Sequence, residues 1–115
     1  MLDFNAALKA AIQPVLPCCE EPARDDLTGQ KYAVWRVTGD TTYYASGKPY
    51  RRVVRHSIEM YLMPNDPGEV LTQSVLSALK SAGFRSVRRV SSVWDGVAKR
   101  RLVTITAAHA EVLTQ

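Results

Sequence analysis

Residues 50–63 alternate between apolar and polar side chains, and this pattern limits the folds open to the chain. The even positions include Val54, Ile58, Met60 and Leu62. The odd positions include Arg51, Arg55, Ser57 and Glu59. Successive side chains of a strand point to opposite faces, so the alternation predicts a long strand with one buried and one wet face. The rest of the chain has to cover the buried face.

Two helices are predicted on either side of this strand. Phe4, Leu8 and Ile12 repeat at helical spacing, which predicts a helix over residues 4–14. The segment 65–69 reads Asn-Asp-Pro-Gly-Glu, a typical helix start, and Gly83 is a typical stop. A second helix is therefore expected over residues 67–82.

The remaining segments are predicted to be one loop and four further strands. Residues 16–30 carry prolines, acids and a glycine without any period, which indicates a loop. Strands are expected over 31–37 and 41–45, separated by a turn at Gly39-Asp40, and over 85–94 and 98–108, joined by a hairpin turn at Asp95-Gly96.

A chain of 115 residues suits a single domain, here residues 1–115. The order of elements is α-β-β-β-α-β-β, which indicates an α+β fold with a largely antiparallel sheet and two helices packed on one face. The other face of the sheet should then be free. The expected core comprises Trp35, Ile58, Leu62, Leu71, Val75, Leu79 and Ile105.

No group of residues has the pattern of a catalytic, cofactor-binding or metal-binding site. The adjacent cysteines Cys18 and Cys19 suit a pair of reduced thiols, and His56 lies on the apolar side of a predicted strand. No serine or cysteine has a recognisable nucleophile turn, and each glycine stands alone at a turn. We predict that the chain is not an enzyme and has no cofactor or metal. No apolar run approaches the roughly 18–20 residues of a membrane span, so no membrane partner is expected.

Charge is distributed unevenly. Residues 1–30 carry two basic and five acidic side chains, whereas residues 31–115 carry thirteen and six, giving net charges of −3 and +7. Separated charges of opposite sign can orient a protein on a charged partner. We therefore predict that a subunit or partner interface includes the acidic loop, the arginine-bearing strands and two tyrosines, namely Glu20, Glu21, Asp25, Asp26, Tyr43, Tyr44, Arg51, Arg52, Arg55, Arg88 and Arg89.

The basic residues leave a second interpretation open. They form three clusters, at 51–55, 85–89 and 99–101, which would merge into one positive surface if their strands were neighbours. Basic surface beside aromatic residues is typical of single-strand nucleic-acid binding. A solvated face that balances acids on the same or a partner subunit is the simpler interpretation, so we do not expect nucleic acid as a partner.

Several segments together carry a family resemblance that covers nearly the whole chain. They are the amino-terminal helix, Lys31-Tyr32-Ala33-Val34-Trp35, Thr42-Tyr43-Tyr44-Ala45, Glu59-Met60-Tyr61-Leu62, Ala82-Gly83-Phe84 and the closing hairpin. This layout resembles the tail completion, or tail terminator, proteins of long-tailed bacteriophages.

The resemblance implies a structural subunit that forms a ring, often six-fold, at the head-proximal end of the tail tube. Its partners would be further copies of itself, the major tail tube protein and the head connector proteins. It would be found in the virion, and in the host cytoplasm during assembly. Two alternatives stay open, another phage connector or minor capsid joining protein and a small basic nucleic-acid-binding module.

Overall fold

A computed structural model describes residues 4–20, 31–63, 65–66, 68–97 and 99–113. These residues form two helices and five strands: α1 Phe4–Ile12, β1 Cys18–Glu20, β2 Tyr32–Ala45, β3 Lys48–Tyr61, α2 Glu69–Ser81, β4 Arg85–Asp95 and β5 Arg100–Val112. The strands make one sheet in the order β1-β2-β3-β5-β4. Every neighbouring pair is antiparallel except β1 with β2. The predicted α+β class and element order are confirmed.

The first two strands differ in extent from the prediction. Residues 32–45 form one continuous strand, and the expected turn at Gly39-Asp40 is a bulge at Thr38, where the register steps from Val37 opposite His56 to Gly39 opposite Arg55. Pairing with β3 keeps β2 extended, so the tertiary partner overrides the local turn preference. The predicted loop contributes the short strand β1, whereas residues 21–30 lie outside the described part of the chain.

Helix α2 begins at Glu69, within two residues of the predicted start. Its N-cap is Gly68 in the left-handed conformation, with φ of 83°, and no side chain caps the first turn. Asp66 instead accepts a hydrogen bond of 2.7 Å from the Gly68 backbone N–H. A Cβ atom at Gly68 would clash with Cδ1 of Leu62, so both the backbone angle and the space around it favour glycine.

The core lies between the two helices and one face of the sheet. Its members include Leu8 and Ile12 of α1, Val75 and Leu79 of α2, and Ile58 of β3. All of the predicted core residues are buried except Leu71, which packs half-buried against the cluster. The indole N–H of Trp35 donates a 3.2 Å hydrogen bond to Asn5, which ties α1 to β2.

The opposite face of the sheet, here called the open face, is not covered by any described helix. The odd-numbered residues of β3 and the even-numbered residues of β5 from 104 to 110 point to this face, because their neighbours Ile58 and Ile105 are buried beneath the helices. The described residues have principal extents of 53 × 25 × 24 Å, with the long strands along the greatest dimension.

Candidate interaction surfaces

A trough lined by arginines runs along the open face. Strand β5 lies between β3 and β4, and the pairing sets Arg55 of β3 and Arg85 of β4 on either side of Ala108. Arg88 lies opposite Thr106, which is two residues before Ala108 in β5. We define the arginine trough as Arg51, Arg55, Arg85 and Arg88 together with the small side chains of β5 that form its floor, Thr106, Ala108 and Ala110.

Two adjoining cavities occupy the trough. The larger has a volume of about 620 Å³ and is lined by Arg55 and Arg88 over Thr106 and Ala108. The smaller, of about 170 Å³, is lined by Arg51, Arg55, Arg85 and the ring of Tyr43. Arg55 therefore lies at the junction and contacts both cavities.

A bulge in β4 brings Arg85 and Arg88 to the same face. Three steps along β4, from Arg85 to Arg88, lie against only two steps along β5, from Ala108 to Thr106. In a regular strand, residues three apart point to opposite faces, so the extra residue is what turns both side chains toward the open face. Ser86 within this bulge has a φ of 54°, a strained angle for serine.

Strand β2 leaves room for Arg55 on the other side. Gly39 lies directly opposite Arg55, and a Cβ built at Gly39 would lie 3.8 Å from both Cβ and Cδ of that arginine. The aliphatic part of Arg55 thus lies beside a residue that has no side chain. The bulge residue Thr38 completes this end of the larger cavity.

The positive charge of the trough is not neutralised by the described residues. Neither cavity is lined by a described carboxylate. The ion pairs found among the described residues involve Arg36, Arg52 and Arg89, and none involves a trough arginine. Arg51 lies over the Tyr43 ring, with its guanidinium carbon 6.0 Å from the ring centroid.

Two of the predicted interface arginines lie on the helix side of the sheet. Arg52 donates hydrogen bonds of 2.9 and 2.7 Å to the two carboxylate oxygens of Asp40 and lies over the Phe4 ring. These hydrogen bonds raise the pKa of Arg52 and lower the pKa of Asp40. Arg89 forms an ion pair of 3.2 Å with Glu69 of α2. Strand alternation thus separates Arg52 and Arg89 from the trough.

Arg85 joins the trough although it was not among the predicted interface residues. From the sequence, Arg85 and Arg88 are three residues apart and would point to opposite faces of a regular strand. The third basic cluster does not reach the trough. Arg100 lies over the Tyr32 ring at 5.6 Å, and Arg101 donates a hydrogen bond to Ser92.

The structure describes only part of the predicted acidic loop. Glu20 is exposed at the end of β1, on the edge of the sheet formed by β1 and β2. Glu21, Asp25 and Asp26 lie outside the described residues. The predicted contact between the acidic loop and the arginine strands therefore stays a prediction.

Two groups of exposed apolar side chains lie toward opposite ends of the long strands. The tyrosine end, beside the β2–β3 turn, comprises Tyr43, Tyr44, Tyr50 and Val112. The tryptophan end, along β4 and its turn into β5, comprises Val90, Val93, Trp94 and Val97. Trp94 is 51% exposed and Val97 is 96% exposed, so these side chains offer a surface for a partner.

Two histidines lie in an aromatic cluster on the helix side of the sheet. His56 is 1% exposed and packs edge-on against Phe4 and Phe84, and His109 lies 4.9 Å from each of those rings. Burial lowers the pKa of His56, and the nearby His109 lowers it further. Neither ring nitrogen of His56 has a hydrogen-bond partner among the described residues. An enclosed neutral imidazole of this kind fits a packing role.

The described residues contain no group of three or more histidine, cysteine or acidic side chains arranged to hold a metal ion. Neither described helix is long and apolar enough to cross a membrane.

Comparison of the sequence with models of protein families and with curated proteins gives no match.

Proposed function

We propose that the protein is a structural subunit of a bacteriophage tail, the tail completion or tail terminator protein, which forms a ring at the head-proximal end of the tail tube. The observation that carries this proposal is the presence of two different exposed apolar surfaces at opposite ends of one elongated domain. A subunit of a closed ring contacts one neighbour through one surface and the next neighbour through another. The tyrosine end and the tryptophan end supply two such surfaces.

The distance between these surfaces suits contacts with separate neighbours. Tyr50 of the tyrosine end and Tyr61, the last residue of β3, are eleven residues apart along the strand, which at about 3.3 Å per residue is roughly 36 Å. Two neighbouring subunits can therefore each cover one of the two surfaces without overlapping.

The edge strand β4 gives further support. It is last in the sheet order, so its outer backbone groups are not paired with another described strand. Val90, Val93 and Trp94 are exposed along it. A long edge with exposed apolar side chains favours pairing with another chain unless something blocks it. In the proposed ring, a neighbouring copy or the tail tube covers this edge.

The proposal is tested by complementing a phage that lacks the gene. A variant with Trp94→Glu and Val97→Glu should yield heads and tails that fail to join, or tails of abnormal length, in electron micrographs. Both side chains are exposed, so the monomer should stay folded. Val37→Glu is the matched control, because Val37 is 52% exposed in the middle of β2, opposite His56 and between the two ends, and should support normal particles.

Normal infectious particles from the Trp94 and Val97 variant would remove the tryptophan end from the assembly surface. Failure of the wild-type gene to restore tails in that phage would reject the tail function itself.

A further inference from the structure

The arginine trough has a feature that ring formation does not require. Arg51, Arg55, Arg85 and Arg88 are all exposed, and four positive charges lie along one channel whose described lining holds no carboxylate. Four like charges along one surface raise its positive potential, which attracts an anionic ligand. From this arrangement we propose that the trough binds the phosphodiester backbone of a nucleic-acid strand.

The dimensions of the trough suit an extended anionic chain. Its two walls, β3 and β4, are separated by two strand spacings, or about 10 Å. Along β3, Arg51 and Arg55 are four residues apart on one face, which is about 13 Å. The small side chains of Thr106, Ala108 and Ala110 leave the floor low, so a backbone can approach all four guanidinium groups.

The chemistry of the lining favours phosphate. Guanidinium groups bind phosphate oxygens through paired N–H donors, and arginine is the side chain that does so with fixed geometry. The ring of Tyr43 borders the smaller cavity beside Arg51. A basic groove with an aromatic ring at its side is the arrangement by which proteins hold single strands, with the groove following the backbone and the ring stacking on a base.

The backbone geometry of β4 points to the same use. The bulge that turns Arg85 and Arg88 to one face places Ser86 at a strained φ of 54°, and Ser86 lines both cavities. Strain of this kind is concentrated at functional sites, where the surrounding structure holds it. The strain has an evident result here, the convergence of two arginines on Ala108 and Thr106.

An acidic protein segment is the competing occupant. Among the described acids, Asp40, Glu59 and Glu69 are already paired with Arg52, Arg36 and Arg89. These acids are therefore not available to the trough of a second copy unless their own ion pairs break. The acidic residues of segment 20–26 supply the alternative, and the experiment below separates the two.

The test measures binding of the purified chain to a labelled 20-nucleotide single strand and to the matching duplex by fluorescence anisotropy, between 50 and 200 mM salt. If all four arginines contact phosphate, log K should fall with log salt at a slope of about −2.8 for the single strand and −3.6 for the duplex. Affinity should then drop roughly 50-fold to 150-fold across this range. The affinity for each form at the same salt concentration shows whether the trough prefers the single strand or the duplex.

Arg88→Gln and Arg89→Gln form the matched pair of variants. They are adjacent residues of β4 and remove the same charge, but Arg88 lines the trough and Arg89 pairs with Glu69. Arg88→Gln should reduce the magnitude of the slope by about 0.7 to 0.9, equally for all base sequences, whereas Arg89→Gln should leave it unchanged. Arg88→Lys, which keeps the charge, should restore most of the slope. Thermal unfolding of each variant checks that it is folded.

Three results would overturn the proposal. The first is the absence of salt-dependent binding to either nucleic acid. The second is an equal reduction of the salt slope by Arg88→Gln and Arg89→Gln, which would show that binding depends on the net charge of the protein and not on the trough. The third is preferential binding of a labelled peptide with the sequence of residues 18–30, which would assign the trough to the acidic segment of another copy. The assay uses the purified chain in solution, so its outcome is independent of whether the protein completes tails.

Discussion

Arg52 and Asp40 face each other across the β2–β3 pair and are joined by two hydrogen bonds, of 2.9 and 2.7 Å, on the helix side of the sheet. Arg51, the adjacent residue, points to the open face and forms no ion pair with a described acid. Of these two adjacent arginines, Arg52 is therefore paired with a carboxylate, whereas Arg51 lies among other arginines without a described carboxylate partner.

This contrast predicts that charge reversal at the two positions has unequal effects on the melting temperature. Arg52→Glu should lower the melting temperature, because the new carboxylate would lie beside Asp40 and near Glu111, which also raises the pKa of Arg52. Arg51→Glu should lower the melting temperature much less, because Arg51 forms no ion pair with a described acid and loses only its contact with the exposed Tyr43 ring. Thermal unfolding at low salt measures both. Equal melting temperatures for the two variants would contradict the separation of these residues to opposite faces.

Because Arg51 and Arg52 lie on opposite faces, a test of the arginines in assembly has to change the two faces separately. Reversing Arg51, Arg52 and Arg55 together would disturb the Arg52–Asp40 contact as well as the open face. Arg51→Glu with Arg55→Glu changes the open face alone, so an assembly defect in that double variant could not be attributed to loss of the ion pair.

Any side chain at Gly68 should lower the free energy of unfolding. Gly68→Ala combines a left-handed backbone, which costs about 1–2 kcal/mol, with a clash against Leu62, for which overpacking costs about 1–3 kcal/mol. We expect a loss of roughly 2–5 kcal/mol in the free energy of unfolding, measured by chemical denaturation. Gly47→Ala is the control, because Gly47 has a φ of 76° but no atom within 4 Å of its added Cβ, and it should show only the backbone cost. Equal losses in the two variants would show that Leu62 moves aside freely.

The sequence predicts the face of β3 correctly but not the make-up of the trough. Alternation places Arg51 and Arg55 on the wet face because β3 has no register shift opposite β5 over its paired length. Arg85 and Arg88 cannot be assigned in this way, since their common orientation depends on a bulge in β4. A bulge is set by how a strand pairs with its partner, and that register is not visible in the local sequence.

The same reasoning explains the turn expected at Gly39-Asp40. Glycine followed by aspartate is a frequent turn pair, yet here Gly39 is opposite Arg55 and Asp40 is opposite Val54, within a continuous ladder. The true turn is at Ser46 and Gly47, both with positive φ. Long-range pairing therefore decides between two plausible turns, and only the structure shows which one is used.

Folding stability should fall on mild acidification because of His56. The pKa of His56 lies below its ordinary value of 6.5, chiefly because of burial and secondly because of His109. The unfolded chain therefore binds a proton at a higher pH than the folded chain does. The stability contributed by neutral His56 is complete above about pH 6.5 and is lost as the pH falls from there toward the folded pKa.

The surroundings of His56 offer no compensation for the added charge. The groups that face it on the helix side of the sheet are the rings of Phe4 from α1, Phe84 after α2 and His109 from β5. No carboxylate is among these described neighbours. Protonated His56 would therefore meet aromatic rings and a second imidazole, with no counter-charge among the described groups that face it.

The measurement is the free energy of unfolding by denaturant between pH 7.5 and 5. One titrating group contributes at most about 1.4 kcal/mol per pH unit, and this sets the largest slope expected from His56. His56→Phe should flatten the profile, since it leaves the aromatic packing in place and removes the titrating group. His109→Gln should retain most of the slope, because burial, the larger cause of the lowered pKa, is unchanged. A wild-type profile that stays flat over this range would show that His56 is accommodated in its protonated form.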